Sequence, residues 1–319
     1  MDRITSPFGA YTPAREVAAG HDLTGKTAIV TGGATGIGIE TTRALAEQGA
    51  DVVIAARKPD LAQAAVDDIA RTAKGKVSWE MLDLSSLKSV RAFADRWGAR
   101  PLHILVNNAG VMACPQAYTE DGLEMQIGTN HFGHYLLAVL LAPALEAGAK
   151  AAGKPSRVVS LSSIGHRRSP VNFDDPHFKG RPYDKWESYG QAKSANSLFA
   201  VGFDQRYKDR GIRANAVMPG GIMTPLQRHM SKEEQMAMGW INEKGEVREG
   251  FKTPEQGAST SVWAAIGDEL EGKGGLYLED LGQAPPWDKD RPWQGVMPHA
   301  LDSAAADRLW ALSVETTGA

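Results

Sequence analysis

The chain of 319 residues has a single cysteine, Cys114. No intramolecular disulfide can form, so packing and hydrogen bonds must hold the fold, and a reducing compartment such as the cytoplasm is expected. The ordinary role of one isolated cysteine is a small buried hydrophobe. No apolar run reaches the roughly 18 residues of a membrane span. Neither sign of charge dominates: 35 Lys and Arg against 38 Asp and Glu leave a formal net charge of −3. That balance offers no basic field to a nucleic acid. His131 and His134 lie three apart but have no cysteine or carboxylate set beside them, so no metal is expected. The segment 1–22 is polar and proline-interrupted and lacks an apolar signal-peptide core. It reads as an arm laid over the domain.

What is present is regular alternation. Apolar strand patterns occur at 26–31, 51–56, 77–82, 102–107, 157–163, 212–218 and 275–278. Helical patterns fill 36–48, 61–73, 86–97, 121–147, 189–210 and 254–266. Strands that are apolar almost throughout belong to a sheet covered on both faces. Right-handed crossovers then predict a doubly wound α/β fold with a parallel sheet of about seven strands. With 42% hydrophobic residues and no internal repeat or linker, 1–319 reads as a single domain. Three segments break the rhythm: 164–188, 224–253 and 280–299, the last within a C-terminal extension, 280–319. Such excursions frame ligand sites.

Two motifs carry the chemistry. Thr31-Gly32-Gly33-Ala34-Thr35-Gly36-Ile37-Gly38 is a glycine turn between a strand and a helix, suited to a pyrophosphate. Tyr189-Gly190-Gln191-Ala192-Lys193 sets a phenol and an ammonium one helical turn apart on one face. Either alone has an ordinary reading, a tight turn or an exposed helix face. Together they describe hydride transfer from a nicotinamide, with the tyrosine handling the accompanying proton.

Two more segments fall in order. One strand ends in Asn107-Asn108-Ala109-Gly110, another in the paired serines Ser162 and Ser163. With Asn130 and Pro219-Gly220, these motifs resemble the short-chain dehydrogenases/reductases over about residues 22–312. The resemblance is strongest to the retinol-dehydrogenase and WW-domain-oxidoreductase group. It is carried by Ala55-Ala56-Arg57, Thr129-Asn130-His131-Phe132-Gly133-His134, Glu271-Gly272-Lys273-Gly274-Gly275-Leu276-Tyr277 and the tail from Arg308 to Ser313. No WW module is present.

The resemblance implies roles. Gly32, Thr35, Gly36, Ile37 and Gly38 would cradle the pyrophosphate, and Asp83 with Leu84 would meet the adenine. Asn107, Ala109 and Gly110 would close the ribose side. Ser163 would fix the substrate oxygen, with Ser162 as the alternative. Tyr189 would exchange the proton, and Lys193 would hold the nicotinamide ribose and favour the phenolate. Asn130 would interrupt its helix to hold a relay water, with His131 and His134 packing around it. Pro219, Gly220, Ile222 and Thr224 would cover the nicotinamide. Relatives dimerise through the helices at 121–147 and 189–210, so a homo-oligomer is possible.

Cofactor choice is read from charge. An NAD enzyme presents an acid to the ribose 2′-hydroxyl. Here Ala56 is followed by Arg57 and Lys58, and a guanidinium can hold a 2′-phosphate bidentately. NADP(H) is therefore favoured over NAD(H). The small-molecule substrate is expected to be a lipophilic ketone, aldehyde or secondary alcohol. Met230, Met236, Met238, Trp240 and Phe251 suit 224–253 to a lid with an adaptable apolar underside. Arg167 and Arg168 could instead turn inward and hold a carboxylate. Reduction of a conjugated C=C bond, or a nucleotide sensor without chemistry, are the alternatives.

Overall fold

A computed structural model describes residues 3–319. The strands are β1 Thr27–Thr31, β2 Asp51–Ala56, β3 Val77–Met81, β4 Ile104–Asn107, β5 Ser156–Leu161, β6 Ile212–Met218, β7 Tyr277–Glu279 and β8 Gly282–Gln283. The helices are α1 Ala14–Ala18, α2 Gly36–Glu47, α3 Pro59–Ile69, α4 Leu87–Trp97, α5 Met125–Ile127, α6 Gly133–Leu140, α7 Ala142–Ala152, α8 Lys185–Tyr207, α9 Lys232–Ala237, α10 Pro254–Gly257, α11 Ser259–Ile266 and α12 Ser303–Thr317.

All eight strands form one sheet in the order β3-β2-β1-β4-β5-β6-β7-β8. The first seven pair in parallel. The chain winds outward from β1 to β3, then crosses back to β4, so strand order reverses between β1 and β4. In a doubly wound sheet that reversal opens a crevice at the carboxyl ends of the strands. Alternation along β1 explains the two layers. Ala28 and Val30 enter one buried cluster and Ile29 the other, each with no exposed surface.

The sheet exceeds the expected seven strands by one. β8 has two residues, too few for a periodic signal. It runs antiparallel to β7 after a turn in which Asp280 and Leu281 adopt φ of 47° and 61°. The N-terminal segment covers this edge through a Thr5–Gly282 bridge and an Arg3 bond of 2.7 Å to the Gln283 carbonyl. An exposed edge strand invites further pairing, and this cover removes it.

The helix expected over 121–147 is broken. Glu124 accepts from the Gln126 and Ile127 amides at 3.0 Å each and starts α5. A π-helical stretch, Gly128–Phe132, follows and leads into α6. α7 opens with Pro143 in its first turn and bends 55° from the preceding axis. α8 begins earlier than its motif suggested, because Asp184 accepts from Trp186 and Glu187 at 2.9 and 2.7 Å.

α12 lies along α8. Trp310 meets Tyr135 edge-on at 5.0 Å between centroids, lies 6.2 Å from the Phe203 and Tyr207 rings and carries the Arg206 guanidinium 4.5 Å over its face. Tyr135 donates to the Ala319 carbonyl at 3.0 Å. Trp310→Ala should therefore destabilise the protein by about 2 kcal/mol, less than a fully buried tryptophan because one face is wet. Urea denaturation measures this. An unchanged midpoint would mean that α12 adds nothing to the fold.

Candidate active site

One cleft of about 1310 Å³ runs across the carboxyl ends of β1, β2, β4, β5 and β6. That exceeds the roughly 300–1,000 Å³ of a typical small-molecule pocket. Gly32, Thr35, Gly36 and Ile37 line one wall. Gly32 adopts φ of 63°, where side chains are strained. Gly38 stands behind the lining: a Cβ there would strike the Gly32 carbonyl and lie 2.6 Å from the Asn108 amide. The turn opens directly into α2, whose first amides have no intrahelical acceptors and suit an anionic group. A dinucleotide pyrophosphate fits this cradle.

The Thr31 hydroxyl fastens the turn to its neighbours. It accepts from the Asn108 and Ala109 amides at 2.9 Å each and stands 2.8 Å from His134 Nε2. His134 Nδ1 is 2.9 Å from the Asn130 carbonyl and must donate to it. The imidazole is neutral, since burial pulls its pKa down to about 4. Nε2 therefore accepts from Thr31. His134 ties the π-helical turn to β1, more than the packing expected of it. His131, with its pKa down to about 3 by burial, pairs with Ser313 at 2.8 Å.

Asn130 does sit where regular helical bonding breaks. Its side chain clamps the neighbouring segment: Oδ1 accepts from the Val111 amide at 2.8 Å and Nδ2 donates to the Val111 carbonyl at 2.9 Å. Asn107 is also away from the cleft. As the last residue of β4 it points into the sheet face, 1% exposed, and neither amide atom has a partner among the described residues. Asn108 takes the expected place, lining the cleft and donating to the Thr31 carbonyl at 2.7 Å. Strand alternation decides between the neighbours, and the strand ends one residue before the amide that faces outward.

Ser163, Tyr189 and Lys193 converge on the cleft. Ser163 follows β5, and its Oγ accepts from the Gly165 amide at 3.0 Å. Ser162 also borders the cleft, but its hydroxyl donates to the Lys193 carbonyl at 2.9 Å and is spent there. A Cβ on Gly165 would lie 2.8 Å from the Tyr189 ring and 3.4 Å from Ser163 Oγ, so this glycine makes room for the pair. The Ser163 carbonyl accepts from His166 Nδ1 at 2.7 Å and Tyr277 at 3.1 Å. His166 Nε2 in turn accepts from the Met297 amide at 3.1 Å. Gly165, His166 and Tyr277 were not anticipated as parts of the site; the histidine's partners lie far off in sequence.

The electrostatics depart from expectation. Burial pushes the Tyr189 phenol up to about 12, partly offset by the Ser163 hydroxyl. Burial also brings the Lys193 ammonium down to about 8. Lys193 Nζ donates to the Leu161 carbonyl at 2.8 Å and lies 5.6 Å from the Tyr189 ring centre. Desolvation dominates at Tyr189, so the phenol keeps its proton through the neutral range. A protonated phenol beside a hydroxyl on the cleft floor is a proton donor to an oxygen placed between them.

The remaining expected residues also line the cleft. Arg57, Lys58, Asp83 and Leu84 stand at one end, with Ala109 and Gly110 between. Asp83 accepts from the Ser85 amide and hydroxyl at 2.9 and 2.6 Å. Pro219, Gly220, Ile222 and Thr224 also line the cleft, with Thr224 against the glycine turn. Residues beyond them fold back towards Tyr189: Met230 shares its buried apolar cluster, with Leu226, Met238 and Trp240 packed against it. Lys185 anchors this cover through Glu234 at 2.7 Å. Arg167 and Arg168 do not enter the cleft. Arg167 bonds the Pro292 and Gly295 carbonyls, and Arg168 stacks 5.2 Å over Trp186. Arg228, Arg248 and Lys252, together with Ala10 and Tyr11 of the N-terminal arm, line it unexpectedly.

Residues 26–235 match the family described as short chain dehydrogenase. The chain belongs to the short-chain dehydrogenases. A Streptomyces lividans member, named a probable oxidoreductase, is 47% identical over 93% of this chain and 99% of its own. Human retinol dehydrogenase 13 is 38% identical over 93% of this chain and 86% of its own. Mouse polyprenol dehydrogenase is 40% identical over 92% and 84%. Among solved structures, an uncharacterised Mycobacterium paratuberculosis protein superposes with a TM-score of 0.72, 34% identity and coverage of 95% of this chain and 97% of its own. Pseudomonas aeruginosa RhlG, solved with NADP, gives 0.61 at 25% identity over 84% and 97%.

In this short-chain dehydrogenase the two buried groups define a pH dependence. Tyr189 stays protonated up to about 12, and Lys193 loses its proton as pH rises through about 8. If the ammonium form is the working form, kcat/KM for reduction should be level at neutral pH and fall above about 8. A rate profile from pH 6 to 10 tests this. A level profile to pH 10 would contradict it.

Proposed function

We propose that the protein is an NADP(H)-dependent oxidoreductase that interconverts a carbonyl and an alcohol on a lipophilic substrate. The carrying observation is the convergence of Ser163, Tyr189 and Lys193 on the same cleft as the glycine cradle. A reduced nicotinamide supplies, when bound, a hydride to the carbonyl carbon. Ser163 and Tyr189 hold the carbonyl oxygen between their hydroxyls. Tyr189 gives that oxygen its proton, completing the alcohol. Lys193, one turn away, stabilises the phenolate left behind and fixes the nicotinamide ribose. The Asn130–Val111 clamp and the His134 bond keep this floor rigid, so the reacting groups need little reorganisation.

For NADP(H) the support is charge. Arg57 and Lys58 line the cleft at the β2 end and form no ion pair among the described residues. The support for a lipophilic substrate is the lid, residues 224–253, whose Met230, Met238 and Trp240 join the apolar cluster that contains Tyr189. The retinol and polyprenol dehydrogenases among its relatives carry names of lipophilic alcohols. No single described helix is long and apolar enough to cross a membrane. We place the enzyme in the cytoplasm on this reading.

Tyr189→Phe should lower turnover by at least about 10²-fold while leaving NADPH affinity nearly unchanged, since only the proton donor is lost. Retention of a tenth of the activity would sink the assignment. Arg57→Asp should shift the ratio of specificity constants toward NADH. If the wild type already prefers NADH, the charge argument is wrong. In a matched series, kcat/KM should rise with the apolar area of the ketone, and keto acids of similar size should be poorer. Better turnover of the keto acids would overturn the substrate class.

A further inference from the structure

Resting on the NADP(H) reading, we propose that Arg228 is the second half of the 2′-phosphate site, so that the lid itself grips the phosphomonoester opposite Arg57.

The fold brings this side chain to the cofactor end of the cleft. Gly32 N bonds the Ala55 carbonyl at 2.8 Å, which sets the glycine turn beside the end of β2 and hence beside Arg57. Thr224 lies directly on the glycine turn: a Cβ on Gly36 would be 3.3 Å from Thr224 Cβ. From Thr224 the chain makes one 3₁₀ turn, Pro225–His229, braced at its start by reciprocal bonds between Thr224 and Gln227. Arg228 ends that turn and lines the cleft. Its Nη1 donates to the Pro225 carbonyl at 3.1 Å, which steadies the guanidinium and leaves its other donors free.

The charge balance at this end is one-sided. Arg228 is exposed at the cleft mouth, and partial desolvation followed by the charge of Arg57 pulls its pKa down. Many other arginines are matched, such as Arg43 with Asp68 and Arg213 with Asp204. Arg57, Lys58 and Arg228 pair with no carboxylate among the described residues. Of the acids lining the cleft, Asp83 is taken by Ser85 and Asp280 by Lys252 at 2.6 Å, while Glu249 is exposed and forms no ion pair. Like charges held near each other repel, and a dianion between them removes the repulsion. A phosphomonoester is close to doubly charged at neutral pH and offers three acceptor oxygens. Two guanidinium forks match it. Met230, two residues beyond Arg228, belongs to the apolar cluster that contains Tyr189, so the same grip would hold the lid over the reacting phenol.

The test is binding, read from cofactor fluorescence and calorimetry on the full chain. The ligands are NADPH, NADH, adenosine 2′,5′-bisphosphate and 5′-AMP. Arg228→Gln should weaken NADPH and the bisphosphate by about tenfold, the loss of one charged hydrogen bond, and leave NADH and 5′-AMP within about twofold. Equal weakening of all four ligands, or of none, overturns the proposal. Arg57→Asp is measured in parallel to separate the two claims. If Arg57→Asp abolishes discrimination and Arg228→Gln preserves it, the NADP(H) reading stands and the Arg228 proposal alone fails. If the wild type does not distinguish the bisphosphate from 5′-AMP, both fail.

Discussion

The Thr31 hydroxyl accepts from two backbone amides at the end of β4 and donates to a neutral, buried histidine. That histidine holds the carbonyl of Asn130, whose amide in turn clamps Val111. Each of these groups is buried, and an unpaired buried donor or acceptor costs about 1–3 kcal/mol. The chain of bonds thus admits few arrangements. It joins the glycine turn, the wall after β4 and the π-helical turn into one floor. Positions along the cleft follow from it: the cradle lies on one side of Thr31, and Lys193 lies beyond the Asn130 turn.

A second carbonyl is held in the same way. His166 and Tyr277 both donate to Ser163, and Met297 donates to the far nitrogen of His166. Residues far along the chain thereby set the serine beside the phenol. Burial does the rest of the electrical work. It holds the Tyr189 proton on and loosens that of Lys193, driving the two groups' proton affinities apart and bringing only the lysine's toward the neutral range.

The fold was legible because its signals are local. Apolar strands alternate with helical patterns, and seven of the eight strands fell where alternation put them. The Tyr189–Lys193 spacing and the glycine turn are also local, and both reach the cleft. Contacts between distant segments were not legible. Asn107 and Asn108 differ only in which side of the sheet they face, and sequence does not fix where β4 ends. The direction of the phenol shift depended on burial that no spacing reveals. His134 and His166 act through partners on other elements. β8 was too short to give a periodic signal.

Hydride transfer to a carbonyl carbon is the central claim, and isotope transfer tests it most directly. Reduction of a lipophilic ketone with NADPH deuterated at the transferring position of C4 should place one deuterium on the new carbinol carbon, with the hydroxyl hydrogen drawn from solvent. Mass spectrometry and NMR of the product read this. Deuterium found on a carbon of a reduced C=C bond, or no label transferred to any ketone, aldehyde or enone, would contradict the account.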